Sequence, residues 1–421
     1  MPAKINIERM MHRNSIAVQG ETAASYCLVK LIPSGDTGKA LGLNLALVLD
    51  VSGSMYEEDG TGIPRLKRVQ SAAKSAIQKL KPSDSLAVVG FAYNASVLLP
   101  STSLSDKTKI TETIDKVDMF DVDPGGTSMD QAIQLAMDEV AKQPQGGRLS
   151  QVIVLTDGET SGEAICRQLA QKAAASKVHL SLMGVGTEWN ASLIKDLAKL
   201  SNGNWYYIDV NQADAAQEVF KEEFESLASA GFLNTEMHVR PIKDVKIKRL
   251  RQVAPEIKVL ELKEPEANHL VGQLGTLERD KPTKYIIDLT LPKRPDGKYV
   301  IAQLEVSFDP GTGKRESVTV PLEVVYTSAG HGYINAEVAK HIDEVQIDEL
   351  NKNLQVAIDS GQTKQAEKVA EQMMKVGEKM GKAGAKKTML AKQVLQEINA
   401  GGRVSKKTQL AMDDAAREAA L

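Results

Sequence analysis

The stretch Leu45-Ala-Leu-Val-Leu-Asp-Val-Ser-Gly-Ser-Met55 decides the fold of the segment around it. Its first half, residues 45–49, is entirely apolar, and the apolar run stops at Asp50. A continuous apolar run that ends in polar residues is typical of a strand buried on both faces of a parallel sheet. The polar residues then lie at the carboxyl end of that strand, where open α/β sheets bind their ligands.

The polar half of this stretch offers oxygen ligands at alternating positions. Asp50, Ser52 and Ser54 are each separated by one residue, so a turning loop can direct their three side-chain oxygens toward one point. One carboxylate and two hydroxyls form a hard ligand set. Such a set suits Mg²⁺ better than a soft metal.

Two later stretches add ligands of the same kind. Gly125-Gly126-Thr127-Ser128 precedes a helical pattern, and its glycines allow close approach of the backbone to a bound group. Residues 151–156 form a second buried-strand pattern, which ends in Asp157-Gly158. We therefore expect two strand ends and one loop to supply oxygen ligands to a single site.

This constellation resembles the von Willebrand factor A family, whose metal-ion-dependent adhesion site has the pattern Asp-x-Ser-x-Ser, then a Thr, then an Asp. The residues that match this pattern are Asp50, Ser52, Ser54, Thr127 and Asp157. Because all five positions are matched, the resemblance implies an intact site. The resemblance covers residues 40–229 and implies a doubly wound, Rossmann-like α/β fold.

The resemblance also implies a chemistry for the site. A divalent cation, Mg²⁺ or alternatively Mn²⁺ or Ca²⁺, would be bound directly by Ser52, Ser54 and Thr127. Asp50 and Asp157 would act largely through waters and hydrogen bonds that orient the hydroxyls. Neutral ligands leave the cation electrophilic, with one coordination position open for an Asp or Glu side chain of a protein partner.

Composition limits the class of protein. The 421 residues allow two or three domains, while 4% aromatic residues and a net charge of −3 argue against nucleic-acid binding. Cys27 and Cys166 are the only cysteines, so we expect no disulfide framework and a reducing compartment. The N-terminus lacks an apolar leader segment, and no apolar stretch approaches the ~20 residues of a membrane span. The sequence therefore indicates an intracellular, cytoplasmic protein without a membrane span, and the family resemblance is to the bacterial type.

Residues 41–230 alternate between strand and helix patterns, which is typical of a doubly wound parallel sheet. Residues 231–330 instead carry turn-bounded strand patterns, as in a β-sandwich. These patterns occupy residues 234–240, 245–250, 257–260, 285–291, 299–308 and 317–326. Six strands would leave exposed sheet edges. Residues 1–40, which contain a strand pattern at 25–32, can add the strands that complete the sandwich. We therefore predict a discontinuous β-sandwich with the α/β domain inserted into it.

Residues 331–421 form a C-terminal α-helical module. Apolar residues at 3-4-3-4 spacing, typical of a packing seam, are Ala366, Val369, Met373, Val376 and Met380. Glycines at 361, 377–384 and 401–402 divide the segment into three or four helices. The simpler interpretation is a helical hairpin packed on itself or on the sandwich, and the alternative is a module that binds a partner or dimerises.

An acidic loop, Glu57-Glu58-Asp59, follows the candidate metal ligands directly. It is an ordinary solvated loop in the simplest interpretation. One alternative is a rim that selects the partner, and another is a second cation site. A carboxylate of the loop could also occupy the open coordination position of the cation when no partner is bound.

The motifs disfavour catalysis. Phosphotransferases that form an aspartyl-phosphate need a second carboxylate close behind the first, where this chain has Ser52. No base accompanies Ser52 or Ser54 in the motif, and the six histidines lack zinc-ligand spacing. The sequence favours an adaptor that binds proteins through a metal and is not an enzyme. The alternatives are an accessory subunit of an ATPase machine and, less favoured, a Mg-dependent phosphotransfer enzyme.

Overall fold

The computed structural model describes residues 4–18, 22–34, 41–58, 62–119, 125–144, 147–158, 160, 162–279, 281–401 and 403–417. The chain divides into two units. One unit contains Thr37–Gly231 and Gly311–Gly313. The other contains Met1–Asp36, Phe232–Pro310 and Lys314–Leu421.

The elements follow one another in this order. The N-terminal strands are β1 (Lys4–Met11), β2 (Ile16–Ala17) and β3 (Thr22–Ser34). Strands β4 (Gly42–Asp50), β5 (Ser85–Phe91), β6 (Ala95–Ser103), β7 (Arg148–Thr156), β8 (Val178–Val185) and β9 (Trp205–Ile208) come next. Interspersed with them are helices α1 (Arg65–Ile77), α2 (Lys107–Asp115), α3 (Met129–Ala141), α4 (Glu163–Ala175), α5 (Ala191–Leu200) and α6 (Ala215–Ser229).

The rest of the chain is first all strand and then all helix. The strands are β10 (Ala230–Pro241), β11 (Lys246–Ala254), β12 (Lys258–Leu260), β13 (Leu262–Glu266), β14 (His269–Glu278), β15 (Thr283–Pro292), β16 (Gly297–Asp309) and β17 (Glu316–Thr327). The helices are α7 (Ala336–Asp359), α8 (Thr363–Lys379), α9 (Ala385–Gly401) and α10 (Lys406–Arg417).

The first unit contains a six-stranded sheet in the order β6-β5-β4-β7-β8-β9, together with helices α1–α6. All neighbours are parallel except β6, which pairs antiparallel with β5. Strand β4 lies near the centre and is buried from Leu43 to Asp50. Burial on both faces explains its uninterrupted apolar sequence. The prediction of a Rossmann-like α/β fold is confirmed.

The register of this sheet brings the predicted ligands to one edge. Strands β4 and β7 are parallel neighbours, with Leu49 paired to Leu155. The next residues along the two strands, Asp50 and Thr156, therefore end side by side, and Asp157 follows directly. Helix α3 begins at Met129, two residues after the predicted Thr127 ligand.

The second unit contains two sheets with a common apolar core. One has the order β1-β3-β15-β11-β12 and the other β13-β14-β10-β16-β17-β2. The core joins Val29 and Tyr285 of the first sheet to Phe232 and Leu304 of the second. Strand β3 lies between β1 and β15 and pairs with β15 from Thr22↔Pro292 to Leu31↔Thr283. The N-terminal segment thus supplies strands to sheets formed mainly by residues 230–327.

Strands β13 and β14 were not predicted from the sequence. The β13 segment Leu-Lys-Glu-Pro-Glu carries one apolar residue and is mostly exposed at a sheet edge. Strand β14 contains Gly272, at which a Cβ would lie 2.6 Å from a methyl carbon of Leu250. The proline of the short edge strand β13 and the glycine of β14, which lies inside the sheet between β13 and β10, weaken the alternating pattern on which strand prediction depends.

The C-terminal helices pack on one another and on the first sheet of their unit. The seam residues Ala366, Val369 and Met373 are buried, with residues of α9 and α10 in the same cluster. Helix α7 places Val338 and Val345 against Leu28, Val253 and Ile286 of β3, β11 and β15. These contacts agree with the simpler interpretation of the helical module. Within the described residues, no helix combines the length and hydrophobicity of a membrane span.

Candidate metal centre

Asp50 is the most deeply placed residue of the candidate site. It is the last residue of β4 and its side chain is fully buried. Its Oδ1 accepts a hydrogen bond from the Ser52 backbone N–H at 2.9 Å, and its Oδ2 accepts one from the Thr156 hydroxyl at 2.6 Å. Both oxygens are therefore oriented by β7 and by the loop that follows β4.

The two predicted serines connect Asp50 to Asp157. The loop after β4 forms a 3₁₀ turn at Gly53–Tyr56, which brings the hydroxyl oxygens of Ser52 and Ser54 within 3.3 Å of each other. The Ser54 hydroxyl donates to Asp157 Oδ1 at 2.7 Å. Asp157 is itself fully buried. Four of the five predicted residues thus form one connected cluster.

Thr127 reaches the same cluster from the loop before α3. A Cβ at Gly158 would lie 3.4 Å from the Thr127 hydroxyl oxygen, so this hydroxyl lies against the Asp157-Gly158 backbone. The Thr127 carbonyl accepts a hydrogen bond from the Thr160 hydroxyl at 2.8 Å, which ties the two loops together. The structure therefore brings all five predicted residues to one edge of the sheet.

Ser128 does not cap α3 through its side chain. Ser128 occupies the N-cap position without a side-chain cap bond, and its hydroxyl donates instead to the Tyr93 carbonyl at 2.6 Å. The Ser128 N–H donates to the Ala92 carbonyl at 2.6 Å. The backbone bond, which does not depend on the Ser128 side chain, anchors the loop that carries Thr127 to the end of β5.

Arg65, the first residue of α1, is a member of the site that sequence reasoning missed. Its Nη1 donates to Asp157 Oδ2 at 2.7 Å, and its side chain is 15% exposed. Its Nη2 lies 3.6 Å from Glu57 Oε2. The available sequence signal was an arginine directly after a proline, Pro64. Thr156, the hydroxyl donor to Asp50, was missed as well, although it directly precedes Asp157.

The acidic loop lies on the exposed side of the site. The Glu57 side chain is 67% exposed, and Glu58 is exposed. Asp59 lies outside the described residues. The structure thus places the Glu57 carboxylate nearest the Arg65 guanidinium, and the expected role of the rim in selecting a partner stays a prediction.

The electrostatics of the site favour a bound cation. Burial raises the pKa of Asp50 to about 6, and the neighbouring charge of Asp157 adds to the rise, against the hydrogen bonds from Ser52 and Thr156. Arg65 balances the charge of Asp157, whereas no lysine, arginine or histidine in the described ranges forms an ion pair with Asp50. A divalent cation would supply the missing positive charge.

The donor set fits a hard cation. The cluster consists of two carboxylates and three hydroxyls, and oxygen ligands of this kind suit Mg²⁺, Mn²⁺ or Ca²⁺. Nowhere in the described part of the chain do three or more His, Cys, Asp or Glu side chains come together as a metal site. The cation would therefore depend on the hydroxyls of Ser52, Ser54 and Thr127.

Comparison with known proteins finds a family match over part of the chain. Residues 44–222 match the family model described as the von Willebrand factor type A domain. The chain is 30% identical over 293 residues to the uncharacterized protein sll0103 of Synechocystis, covering 68% of this chain and 66% of that protein. It is also 30% identical over 189 residues to the uncharacterized protein YfbK of Escherichia coli, covering 44% of this chain and 31% of that protein.

Two solved structures share the fold over nearly the whole length. One is a von Willebrand factor type A protein from Catenulispora acidiphila, with a TM-score of 0.80, 16% identity, and coverage of 99% of this chain and 97% of that chain. The other is the ArnB paralog VWA2 from Sulfolobus acidocaldarius, with a TM-score of 0.58, 14% identity, and coverage of 99% of both chains. At these identities the likeness concerns the fold alone.

Proposed function

We propose that this chain, which carries a von Willebrand factor type A domain in residues 44–222, binds a protein partner through a divalent cation held at the Asp50 cluster. Domains of this family generally mediate protein–protein interaction, in some cases through a metal. One observation carries the proposal: two buried carboxylates and three hydroxyls converge at the carboxyl edge of the sheet with Arg65 as the counter-charge. An acidic side chain of the partner would complete the site.

Mg²⁺ is the cation that we propose, with Mn²⁺ and Ca²⁺ as alternatives. Ser52, Ser54 and Thr127 would hold it directly, and Asp50 and Asp157 would orient these hydroxyls through hydrogen bonds such as the one from Ser54 to Asp157. Neutral hydroxyl ligands leave most of the charge on the cation. A bound cation would therefore supply electrostatic attraction for a partner carboxylate.

We expect the affinity for Mg²⁺ to be about tenfold weaker at pH 5 than at pH 7, because a proton competes with the cation at Asp50. The pKa of Asp50 is raised to about 6 in the metal-free protein, so the affinity should rise with pH up to that value and then level off. Calorimetric titration of Mg²⁺ across this range measures the effect. Asp50→Asn should bind weakly at every pH, and equal wild-type affinities at pH 5 and pH 7 would contradict the expectation.

We propose an adaptor and not an enzyme. Family members are generally non-enzymatic. The hydrogen bonds of Ser52 and Ser54 run to each other and to Asp157, and among the described residues no histidine or lysine is bonded to either hydroxyl as a base. We place the protein in the cytoplasm, because both cysteines are free thiols in the interior, which suits a reducing compartment.

We propose further that the von Willebrand factor type A domain, residues 41–230, is inserted into a β-sandwich formed by residues 1–40 and 231–330. A helical module, residues 331–421, would follow. The division of the chain into two units and the pairing of β3 with β15 support this arrangement.

Affinity capture with the full-length protein tests the proposed function. Proteins retained in Mg²⁺ and released by EDTA are the candidates, and each should be retained by Ser128→Ala but not by Thr127→Ala. Ser128 is a matched control, because it is the next residue and its hydroxyl is bonded to the Tyr93 carbonyl at 2.6 Å. Partners retained equally in EDTA and by Thr127→Ala would contradict the proposal.

A further inference from the structure

The helix α1 alone makes position 65 electrostatically unfavourable for the positive charge of an arginine. Arg65 is the first residue of α1, where the helix dipole repels a cation, and the first turn contains no acidic residue to offset this. The side chain is nevertheless held inward, 15% exposed, by its bond to Asp157. The metal-site carboxylate therefore fixes the orientation of the guanidinium.

The side of the guanidinium away from Asp157 has unused hydrogen-bonding capacity. An arginine carries five N–H donors. Nη1 makes a 2.7 Å bond to Asp157, whereas Nη2 lies 3.6 Å from Glu57, beyond the range of a good hydrogen bond. Nε is buried, and in the part of the chain that the structure describes it has no hydrogen-bond partner. Nη2 can therefore donate to a further anionic ligand.

Glu57 is held near Arg65 by its backbone and not by its carboxylate. The Arg65 N–H donates to the Glu57 carbonyl at 3.2 Å, and Glu58 forms a β-bridge with Pro64. The Glu57 side chain is 67% exposed, and ion pairs at such exposed positions are weak. Its carboxylate can therefore leave the guanidinium without disturbing the loop.

We propose that Arg65 is a second recognition group for the partner's carboxylate, beside the cation, and that Glu57 occupies its free side until the partner binds. This inference rests on the proposed function and specifies its partner: an exposed Asp or Glu side chain. A guanidinium presents paired N–H donors that match the two oxygens of a carboxylate. An uncharged amide side chain, as in Asn or Gln, lacks this match.

Acetate is the probe for the test, with acetamide as the uncharged control, in protein saturated with Mg²⁺. Backbone amide shifts of residues 52–54 report binding by NMR. We expect Arg65→Gln to weaken acetate binding by about tenfold, the scale of one charge-assisted hydrogen bond. Glu57→Gln should strengthen it by about threefold, because a competing carboxylate is removed.

Two matched variants control for charge alone. Arg68→Gln removes a guanidinium from the same helix, where the Arg68 Nη1 is bonded to the Ala213 carbonyl. Glu112→Gln removes an exposed carboxylate from α2, which has no role in the proposed site. Both should bind acetate like the wild type. Measuring every variant at saturating Mg²⁺ separates acetate binding from changes in metal affinity.

The outcomes separate this inference from the proposed function. Acetate binding that needs Mg²⁺ but is unchanged in Arg65→Gln would overturn the inference and leave the proposed function standing. Binding that needs Arg65 but is equally strong in EDTA would support the inference and contradict the proposed function. Failure of the Mg²⁺-loaded wild type to bind acetate would overturn the inference.

Discussion

Deletion of residues 1–33 is expected to unfold the unit that contains the two β-sheets. The deletion removes β1 and nearly all of β3, which lies between β1 and β15 in its sheet. Leu28, Val29 and Leu31 of β3 are fully buried, and burial of each such side chain stabilises a fold by ~1.5–3 kcal/mol. Their combined loss approaches the ~5–15 kcal/mol that stabilises an entire domain. Calorimetry should show the transition of this unit lost, and hydrogen exchange should show β15 unprotected.

Point variants within the same segment refine this prediction. Leu31→Ala should destabilise the unit by ~2–5 kcal/mol, because it leaves a cavity in the core. Asn6→Ala, at an exposed position of β1, should change stability by less than ~0.5 kcal/mol. A truncated protein that melts like the full chain would mean that the N-terminal strands are not part of this cooperative unit.

Thr127→Ala and Asp50→Ala are expected to abolish partner binding while leaving the fold intact. Loss of a buried charge-assisted contact at an interface costs ~2–5 kcal/mol, which is roughly 30-fold to several thousand-fold in affinity. Asp50→Ala should weaken Mg²⁺ binding by ~10–100-fold, because it removes a group that orients the ligands. Thr127→Ala removes one of the proposed direct ligands.

Both variants should fold for separate reasons. The Thr127 side chain is partly exposed in a loop before α3. Asp50 is buried, but burial raises its pKa to about 6, so its charge does not stabilise the metal-free fold near neutral pH. Circular dichroism and thermal melting check this. Ser128→Ala should bind Mg²⁺ and partner like the wild type, and equal losses in Ser128→Ala and Thr127→Ala would indicate a loop defect and not a lost ligand.

The sequence predicted those parts of the site that depend on local pattern. The apolar run before Asp50 predicted a strand buried on both faces, and β4 is such a strand. The second strand pattern, before Asp157, corresponds to β7. The pattern placed Asp50 and Asp157 at strand ends, the family resemblance implied that both belong to one site, and the structure shows that β4 and β7 are parallel neighbours.

The sequence did not predict what depends on pairing between distant residues. Arg65 and Asp157 are 92 positions apart, and nothing in the local pattern around either residue indicates their ion pair. The hydrogen bond from Thr156 to Asp50 joins residues 106 positions apart. Strand β13 was missed because it is a short, mostly exposed edge strand with a proline, and β14 because Gly272 and Gly275 interrupt its apolar pattern. These features are set by the assembled sheets and not by local propensity.

The most direct test of the metal-dependent interaction is the affinity of the captured partner for the wild-type protein, measured once in Mg²⁺ and once in EDTA. The site offers hydroxyls and buried carboxylates that need a cation before they can attract an anionic partner. We therefore predict a loss of at least ~30-fold in EDTA, restored when Mg²⁺ is added back in excess. Equal affinities in Mg²⁺ and EDTA would contradict the account, and recognition would then have to lie outside the Asp50 cluster.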